Sequence, residues 1–133
     1  MKKIKYSYDL SQNVILLPGR IHGPLGNRNV TFVFDPGAYR TIISTDLTDS
    51  LGYGSNKISK KIRTGSIIGI EMGYTLIINQ ISILNFEFKN IEVACFDPPE
   101  QYDIDGLLGL DILEKFLVTF KHREHWIALS LLK

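Results

Sequence analysis

The chain has 133 residues, which suits one domain with a single hydrophobic core and leaves little room for a second. Fifteen Lys and Arg residues against fourteen Asp and Glu residues give a net charge of +1, so no overall field attracts nucleic acid or an acidic membrane. The single cysteine, Cys95, excludes an intramolecular disulfide and is predicted to be a small buried hydrophobe. We expect one domain over residues 1–133, with its core at about 14–132 and no nucleic-acid partner.

The N-terminal segment MKKIKYSYDL has lysines but lacks the apolar stretch that follows them in a signal peptide. No later run approaches the ~18 apolar residues that a membrane-spanning helix needs. The sequence therefore predicts a cytoplasmic protein without a membrane span. The densest basic segment, KISKKIR from Lys57 to Arg63, lacks interleaved aromatic residues and is predicted to be a solvated loop.

Short β-branched and aromatic runs begin at Val14 and alternate with turn residues. The segments VILLPGRI and VTFVFD predict two strands joined by a hairpin loop. The segment TDLTDSLG predicts a helix of one or two turns with Thr45 as its N-cap and Gly52 as its stop. The following stretch, from IRTGSIIGIEMG to IEVACFD, predicts a glycine-rich hairpin and two further strands.

The last third of the chain contains GLLGLDILEKF, which predicts one principal helix with Leu110, Leu113 and Phe116 on one face. The segments VTF and WIALSLL predict a closing hairpin around HREH, whose two histidines lack a nearby third ligand, so no metal site is predicted. The predicted fold class is mostly β: a small closed or partly closed β-barrel with one C-terminal helix.

Asp35 follows an apolar strand and precedes Pro36 and Gly37 in the stretch FVFDPGA. An Asp in this setting can be a turn residue whose side chain caps a backbone N–H. It can also be a reactive carboxylate placed at the end of a rigid strand. The two interpretations are separated by the rest of the pattern.

Two motifs in this order, FVFDPGA and GLLGLDIL, resemble those of the retropepsin-like aspartic proteases, the half-size relatives of pepsin that dimerise to build one active site. The first is similar to the family's apolar-apolar-Asp-Thr/Ser-Gly-Ala, and the second to its apolar-apolar-Gly-x-Asp/Asn-x-Leu. The resemblance covers about Val14 to Leu132. It implies a retropepsin-type barrel, a homodimer, a peptide or protein substrate, and hydrolysis without a metal or other cofactor.

The resemblance implies that Asp35 is the catalytic aspartate and that a second Asp35 comes from another subunit. Hydrolysis of a peptide bond needs one group to take a proton from water and another to give one to the amide, and two carboxylates that share a proton provide both. Pro36, Gly37 and Ala38 would form the active-site loop. Gly37 would bring its N–H close to the carboxylate, and Ala38 would leave the cleft uncrowded.

Two further groups of residues take their roles from the resemblance. The hairpin GSIIGIEMG is similar to the family's flap, which folds over the substrate; an ordinary exposed hairpin is the alternative. Asp111 is expected in the first turn of the helix, either as a structural acid with Arg40 as its ion-pair partner or as a second catalytic acid within one chain. The flap residues are Gly65, Ser66, Ile67, Ile68 and Gly69, and the supporting residues are Arg40, Thr41, Leu108, Gly109 and Asp111.

Pro36 departs from the family pattern, because proline has neither the hydroxyl nor the amide N–H with which the family's Thr or Ser bonds across the dimer axis. The loss of four such bonds, at ~0.5 to 1.5 kcal/mol each, would weaken the dimer by ~2 to 6 kcal/mol. Two functions remain open. One is an aspartic endopeptidase with an Asp35 dyad, and the other is a non-catalytic retropepsin-like peptide-binding or dimerisation module with a degenerate active-site loop.

Overall fold

A computed structural model describes residues 2–9, 11–12, 14–66, 69–97 and 104–132. Its helices are α1 (Thr45–Ser50) and α2 (Leu110–Leu113), with a short 3-10 turn at Ser55–Lys57. Its strands are β1 (Lys3–Ser7), β2 (Leu16–Gly23), β3 (Gly26–Phe34), β4 (Ile42–Ser44), β5 (Ile58–Ser66), β6 (Gly69–Ile83), β7 (Phe86–Phe96), β8 (Gly106–Leu108), β9 (Phe116–Lys121) and β10 (Trp126–Leu131).

Six of the strands form a closed barrel. Their order is β2-β3-β8-β4-β7-β6, and β6 pairs back onto β2 from Gly19↔Ile83 to His22↔Gln80, which closes the ring. Among the described strands, β5 lies outside the ring and pairs only with β6. Because side chains alternate between the two faces of a strand, Val30 and Phe32 of β3 fill the interior. The predicted barrel is confirmed.

The strands β3 and β8 are parallel neighbours, with Phe32 opposite Gly106 and Phe34 opposite Leu108. Parallel strands that are in register end at the same edge of a sheet. The residues that follow them, Asp35 and Gly109, therefore leave the barrel side by side. This pairing brings together two motifs that lie more than 70 residues apart in the sequence.

A second sheet, in the order β1-β10-β9, packs against the barrel. Its strands are antiparallel, and the β9–β10 hairpin around HREH is present as predicted. The Phe116 ring lies edge-on to the Phe86 ring, with centroids 4.9 Å apart, and Ile127 and Leu129 are fully buried. The pairing of β1 with β10 had no signal in the sequence analysis, because Lys3–Ser7 alternates lysines with apolar residues over only five positions.

Three details differ from the sequence prediction. The helix near the C-terminus is a single turn that ends at Leu113, and Phe116 belongs to β9 instead of the helical face. The helix after Ser44 is the longer of the two, and its N-terminus is capped by the Ser44 hydroxyl, which accepts from the Leu47 N–H. The basic segment is not a loop throughout, because β5 begins at Ile58.

None of the helices in the described part of the chain is long and apolar enough to span a membrane.

Candidate active site

Asp35 is the first residue after β3, and two backbone groups hold it. Its own N–H donates to the Leu108 carbonyl at 3.1 Å. Its carboxylate Oδ1 accepts from the Gly37 N–H at 3.0 Å. A Cβ atom at residue 37 would lie 3.2 Å from that oxygen, so glycine is the residue that allows this approach without a shift. The carboxylate is therefore oriented by the loop that follows it and remains partly exposed.

The loop after Asp35 also binds the start of α2. The Leu110 N–H donates to the Ala38 carbonyl at 2.7 Å, and the Asp111 N–H donates to the Tyr39 carbonyl at 3.2 Å. The first N–H groups of a helix have no partner within the helix, so these carbonyls satisfy two of them. Gly109 is needed at this contact, since a Cβ there would lie within 2.5 to 2.7 Å of Arg40 backbone atoms.

Asp111 is bound by Thr41. The Thr41 N–H donates to Oδ1 and Oδ2 of Asp111, at 2.9 and 3.0 Å, and the Thr41 hydroxyl donates to Oδ1 at 2.7 Å. The same hydroxyl accepts from the Gly109 N–H at 3.1 Å, and Thr41 is fully buried. The Ile112 N–H adds a further bond to Oδ1 at 2.9 Å. This carboxylate therefore fixes the loop to the helix, which favours a structural acid over a second catalytic one.

The predicted ion pair between Arg40 and Asp111 is wrong. The Thr41 N–H and hydroxyl instead donate to the Asp111 carboxylate, at 2.9 and 2.7 Å. Arg40 instead lies 5.6 Å from the centroid of the Tyr39 ring, as a cation–π contact. Its Nη1 is buried and has no hydrogen-bond partner among the described residues.

The predicted flap falls partly on described residues. Gly65 is opposite Ile70 and Ser66 is opposite Gly69, so β5 and β6 remain paired to this point. Ile67 and Ile68 lie outside the described residues. The structure thus places the two strands of a hairpin in this segment.

Two grooves flank the Asp35 loop. The first, which we call the apolar groove, has a volume of about 640 Å³, and Asp35 and Glu114 are its acidic lining residues. Its other walls come from β3, the loop, α2 and β9. They include Val14, Phe34, Pro36, Leu110, Val118 and Phe120.

The second groove, which we call the cationic cleft, has a volume of about 480 Å³. Its lining includes Gly37 and Ala38, which follow Pro36 of the apolar groove, and the two cationic residues Arg40 and Arg63. Its remaining walls come from the loop, β4, β5 and β7. They are Tyr39, Ile42, Ile62, Ala94 and Phe96.

The sequence analysis missed Tyr39 and Arg63 as residues beside the candidate site. Tyr39 directly follows the FVFDPGA motif, and its side chain is 73% exposed. This exposure marks it as a residue of the site, but it is visible only in the structure. Arg63 was included in the basic segment, but nothing local to KISKKIR indicates that its last residue borders the loop of Asp35.

Other reactive side chains have structural partners. Burial raises the pKa of the Cys95 thiol to about 12, which fits the predicted buried hydrophobe. His122 is within hydrogen-bond distance of the Tyr8 hydroxyl, with Nδ1 and the oxygen 3.0 Å apart. Among the described residues, no cluster of three or more His, Cys, Asp or Glu side chains is arranged to hold a metal ion.

A family model for aspartyl proteases matches residues 17–112, which is more than half of the chain. The chain belongs to the aspartyl protease family. The match includes both Asp35 and Asp111 and ends before β9 and β10. The search of curated proteins gives no match.

Solved structures support the same fold. The chain is similar to the crystal structure of a retropepsin-like aspartic protease from Rickettsia conorii, with 19% identity, a TM-score of 0.73, and coverage of 96% of this chain and 89% of that one. It is also similar to the retroviral protease-like domain of Ddi1 from Leishmania major, with 13% identity, a TM-score of 0.59, and coverage of 92% and 96%. The predicted retropepsin-like family and barrel are confirmed.

Proposed function

We propose that this aspartyl protease family member is an active endopeptidase whose catalytic site forms between two copies of the chain, each of which supplies one Asp35. The observation that carries the proposal is the position of Asp35. Its carboxylate is held at the end of a barrel strand by the Gly37 N–H and remains partly exposed between two grooves.

The proposed reaction follows from what two carboxylates can do together. Two carboxyl groups that are close together cannot both ionise easily, so they share one proton. The ionised carboxylate takes a proton from a water molecule, which attacks the carbonyl carbon of the peptide. The protonated carboxyl gives its proton to the amide nitrogen as the C–N bond breaks. The reaction needs both acids in one site.

The second acid is proposed to come from another copy, because the chain has one Asp-x-Gly loop. Asp111 is a poor alternative, since both of its oxygens already accept bonds from Thr41. A second copy also suits the apolar groove beside Asp35, where Leu110 and Phe120 are 44% and 47% exposed. Among the described residues, β9 is an edge strand that pairs only with β10. Its free edge leaves backbone N–H and C=O groups available to a second copy.

The substrate is proposed to be an extended peptide that lies between the Asp35 loop and the β5–β6 hairpin. A peptide of this kind can add itself as a strand and use its backbone for hydrogen bonds. The hairpin formed by β5 and β6 would then act as the flap over the peptide. The proposal needs no cofactor, since the water is activated by the carboxylate pair.

The test measures cleavage of a random peptide library as the protein is diluted, with and without a pepstatin-type inhibitor. We expect inhibited, acid-dependent cleavage whose rate per chain falls on dilution. Leu110→Glu should reproduce that loss at higher concentration, because burying an unpaired charge between subunits costs several kcal/mol, or at least about a hundredfold in affinity. A glutamate at the first position of a helix favours the helix itself, so the monomer should fold.

Leu25→Glu is the matched control, since Leu25 is a 76% exposed apolar residue in the β2–β3 turn and borders neither groove. It should leave both dimer and activity unchanged. Cleavage at a constant rate per chain on dilution would contradict the two-copy site.

Pro36 favours a second candidate, a non-catalytic peptide-binding or dimerisation module. Proline supplies neither the hydroxyl nor the N–H that would tie two active-site loops together. This candidate predicts that library peptides bind the protein without being cleaved at any acidic or neutral pH. Cleavage that is lost in Asp35→Asn would exclude it.

A further inference from the structure

The cationic cleft carries two arginines close to the Asp35 loop. Arg40 comes from the loop itself, and Arg63 comes from β5, the strand outside the barrel ring. Among the described residues that line the cleft there is no acidic side chain to neutralise them. Two elements that are distant in the sequence thus bring the same charge to one groove.

Arg40 is the more informative of the two. Its Nη1 is buried and has no hydrogen-bond partner within the described chain. Burial of an unsatisfied charged donor is unfavourable, and the acid expected to satisfy it, Asp111, is bound to Thr41. The planar guanidinium is suited to a bidentate bond with a carboxylate. Arg40 as a whole is partly exposed, so a carboxylate from outside the chain can approach its positive charge.

The apolar walls of the cleft strengthen this preference. Ile42, Ile62 and Phe96 surround the arginines with hydrocarbon. Electrostatic attraction is stronger where water is displaced by such side chains than in open solvent. A carboxylate that enters this groove would therefore interact with both arginines more strongly than one on an exposed surface.

We propose that the cationic cleft binds a glutamate or aspartate side chain of the peptide substrate, through Arg40 and Arg63. The inference rests on the proposed peptidase function and adds a substrate class to it. Arg40 is five residues after Asp35, and five extended residues span at most about 18 Å. An extended peptide covers that distance in about five residues, so the acidic residue lies within about five positions of the scissile bond.

The test uses a peptide that the wild-type protein cleaves, selected from the random library, with Glu or Gln placed at each of the five positions on either side of the scissile bond. Assays at about pH 6 keep the peptide glutamate ionised, because its ordinary pKa is about 4.3. We expect Glu to raise kcat/KM over Gln by about tenfold or more at one position, the effect of a hydrogen bond to a charged group. Neighbouring positions should show little preference.

Arg40→Gln and Arg63→Gln should each reduce this ratio of Glu to Gln toward one. A merely structural role would lower both rates and leave the ratio unchanged. Arg63→Gln guards against misfolding, because Arg63 is exposed and its replacement leaves the core intact. The control is Arg20→Gln, which makes the same charge change at an exposed arginine whose Nε donates to Asn29 in another part of the barrel. It should preserve the ratio.

A ratio near one at every position in the wild type, or a ratio that survives both cleft variants, would overturn the inference while leaving the peptidase function in place. If no library peptide is cleaved, binding decides the matter. Two labelled decapeptide pools, identical except that every Glu is replaced by Gln, are titrated against Asp35→Asn protein. Arg40-dependent preference for the Glu pool supports the acidic site without catalysis, and equal binding refutes it.

Discussion

The two grooves beside Asp35 differ in chemistry although the same seven-residue loop, residues 35 to 41, contributes to both. The apolar groove, about 640 Å³, presents Pro36, Leu110 and Phe120. The cationic cleft, about 480 Å³, presents Arg40 and Arg63. An apolar surface next to a half-formed site suits a second protein chain, whereas a charged groove suits a polar ligand that comes and goes. We therefore propose that the subunit contact lies on one side of the loop and the substrate side chain on the other.

Asp35 lines the apolar groove at the start of the loop that continues into the cationic cleft, and its replacement has the largest expected effect. Asp35→Asn should lower kcat/KM by about 10² to 10⁴, the usual contribution of a general acid or base. The asparagine side chain is nearly the same size as that of aspartate, so the dimer measured by sedimentation should persist. The control is Glu124→Gln, an exposed residue of the β9–β10 turn. Retention of activity in Asp35→Asn would contradict the proposed catalytic role of Asp35.

Pro36→Thr tests the apolar side alone. Threonine restores a hydroxyl and an amide N–H on each subunit, and up to four bonds across the axis at ~0.5 to 1.5 kcal/mol each should strengthen the dimer at least tenfold. Sedimentation over a concentration series measures this, and the Glu-to-Gln ratio of the cleft should not change. An unchanged or weaker dimer would mean that the proline ring packs in the interface, where a hydroxyl without a partner costs ~1 to 3 kcal/mol.

The Asp111 carboxylate holds the Asp35 loop to α2 through Thr41. Asp111→Ala removes the acceptor of the Thr41 N–H and hydroxyl and should lower the free energy of unfolding by ~2 to 4 kcal/mol in urea titrations. Glu114→Ala, at the exposed C-cap of the same helix, should change it by no more than ~0.5 kcal/mol. Equal effects of the two variants would show that the carboxylate does not hold the loop.

Labelling of Cys95 tests the wall of the cationic cleft without any substitution. Ala94 and Phe96 line the cleft, so the alternation of β7 turns Cys95 toward the core. Burial raises the pKa of its thiol to about 12, and the reactive thiolate is therefore scarce at pH 8. A disulfide reagent such as Ellman's should react at least about a hundredfold more slowly with native than with urea-unfolded protein, since the unfolded fraction is small. Rapid native labelling would mean that this face is open.

Several features of the fold were predictable because they depend on local pattern. The alternation in NVTFVF indicated a strand with one buried face, and the Pro and Gly after Asp35 indicated where it ends. The turn residues around HREH indicated the closing hairpin. The predicted helix at Leu110 was too long. The spacing of Leu113 and Phe116 fits one helical face, but a buried strand can also begin with an apolar residue, and Phe116 begins β9.

The contacts of Arg40 were not predictable for a different reason. Its pairing with Asp111 was inferred from charge and from the nearness of the two segments. The structure places the Thr41 N–H and hydroxyl directly against the carboxylate, and short rigid donors occupy it first. Small differences in distance decide which of two neighbouring donors binds a carboxylate. These differences cannot be inferred from a sequence pattern.

The sequence by itself determined the two strands that lead to Asp35, the strand end at Asp35 and the closing hairpin around HREH, and it indicated the family through two short motifs. Each of these signals depends on residues that are near one another along the chain. The tertiary structure alone decided that β2 and β6 close the barrel, that the Asp35 loop and α2 share the Asp111 carboxylate, and that Arg63 joins Arg40 in one cleft. Those contacts join segments separated by 20 to 70 residues, and packing of the whole barrel sets their geometry.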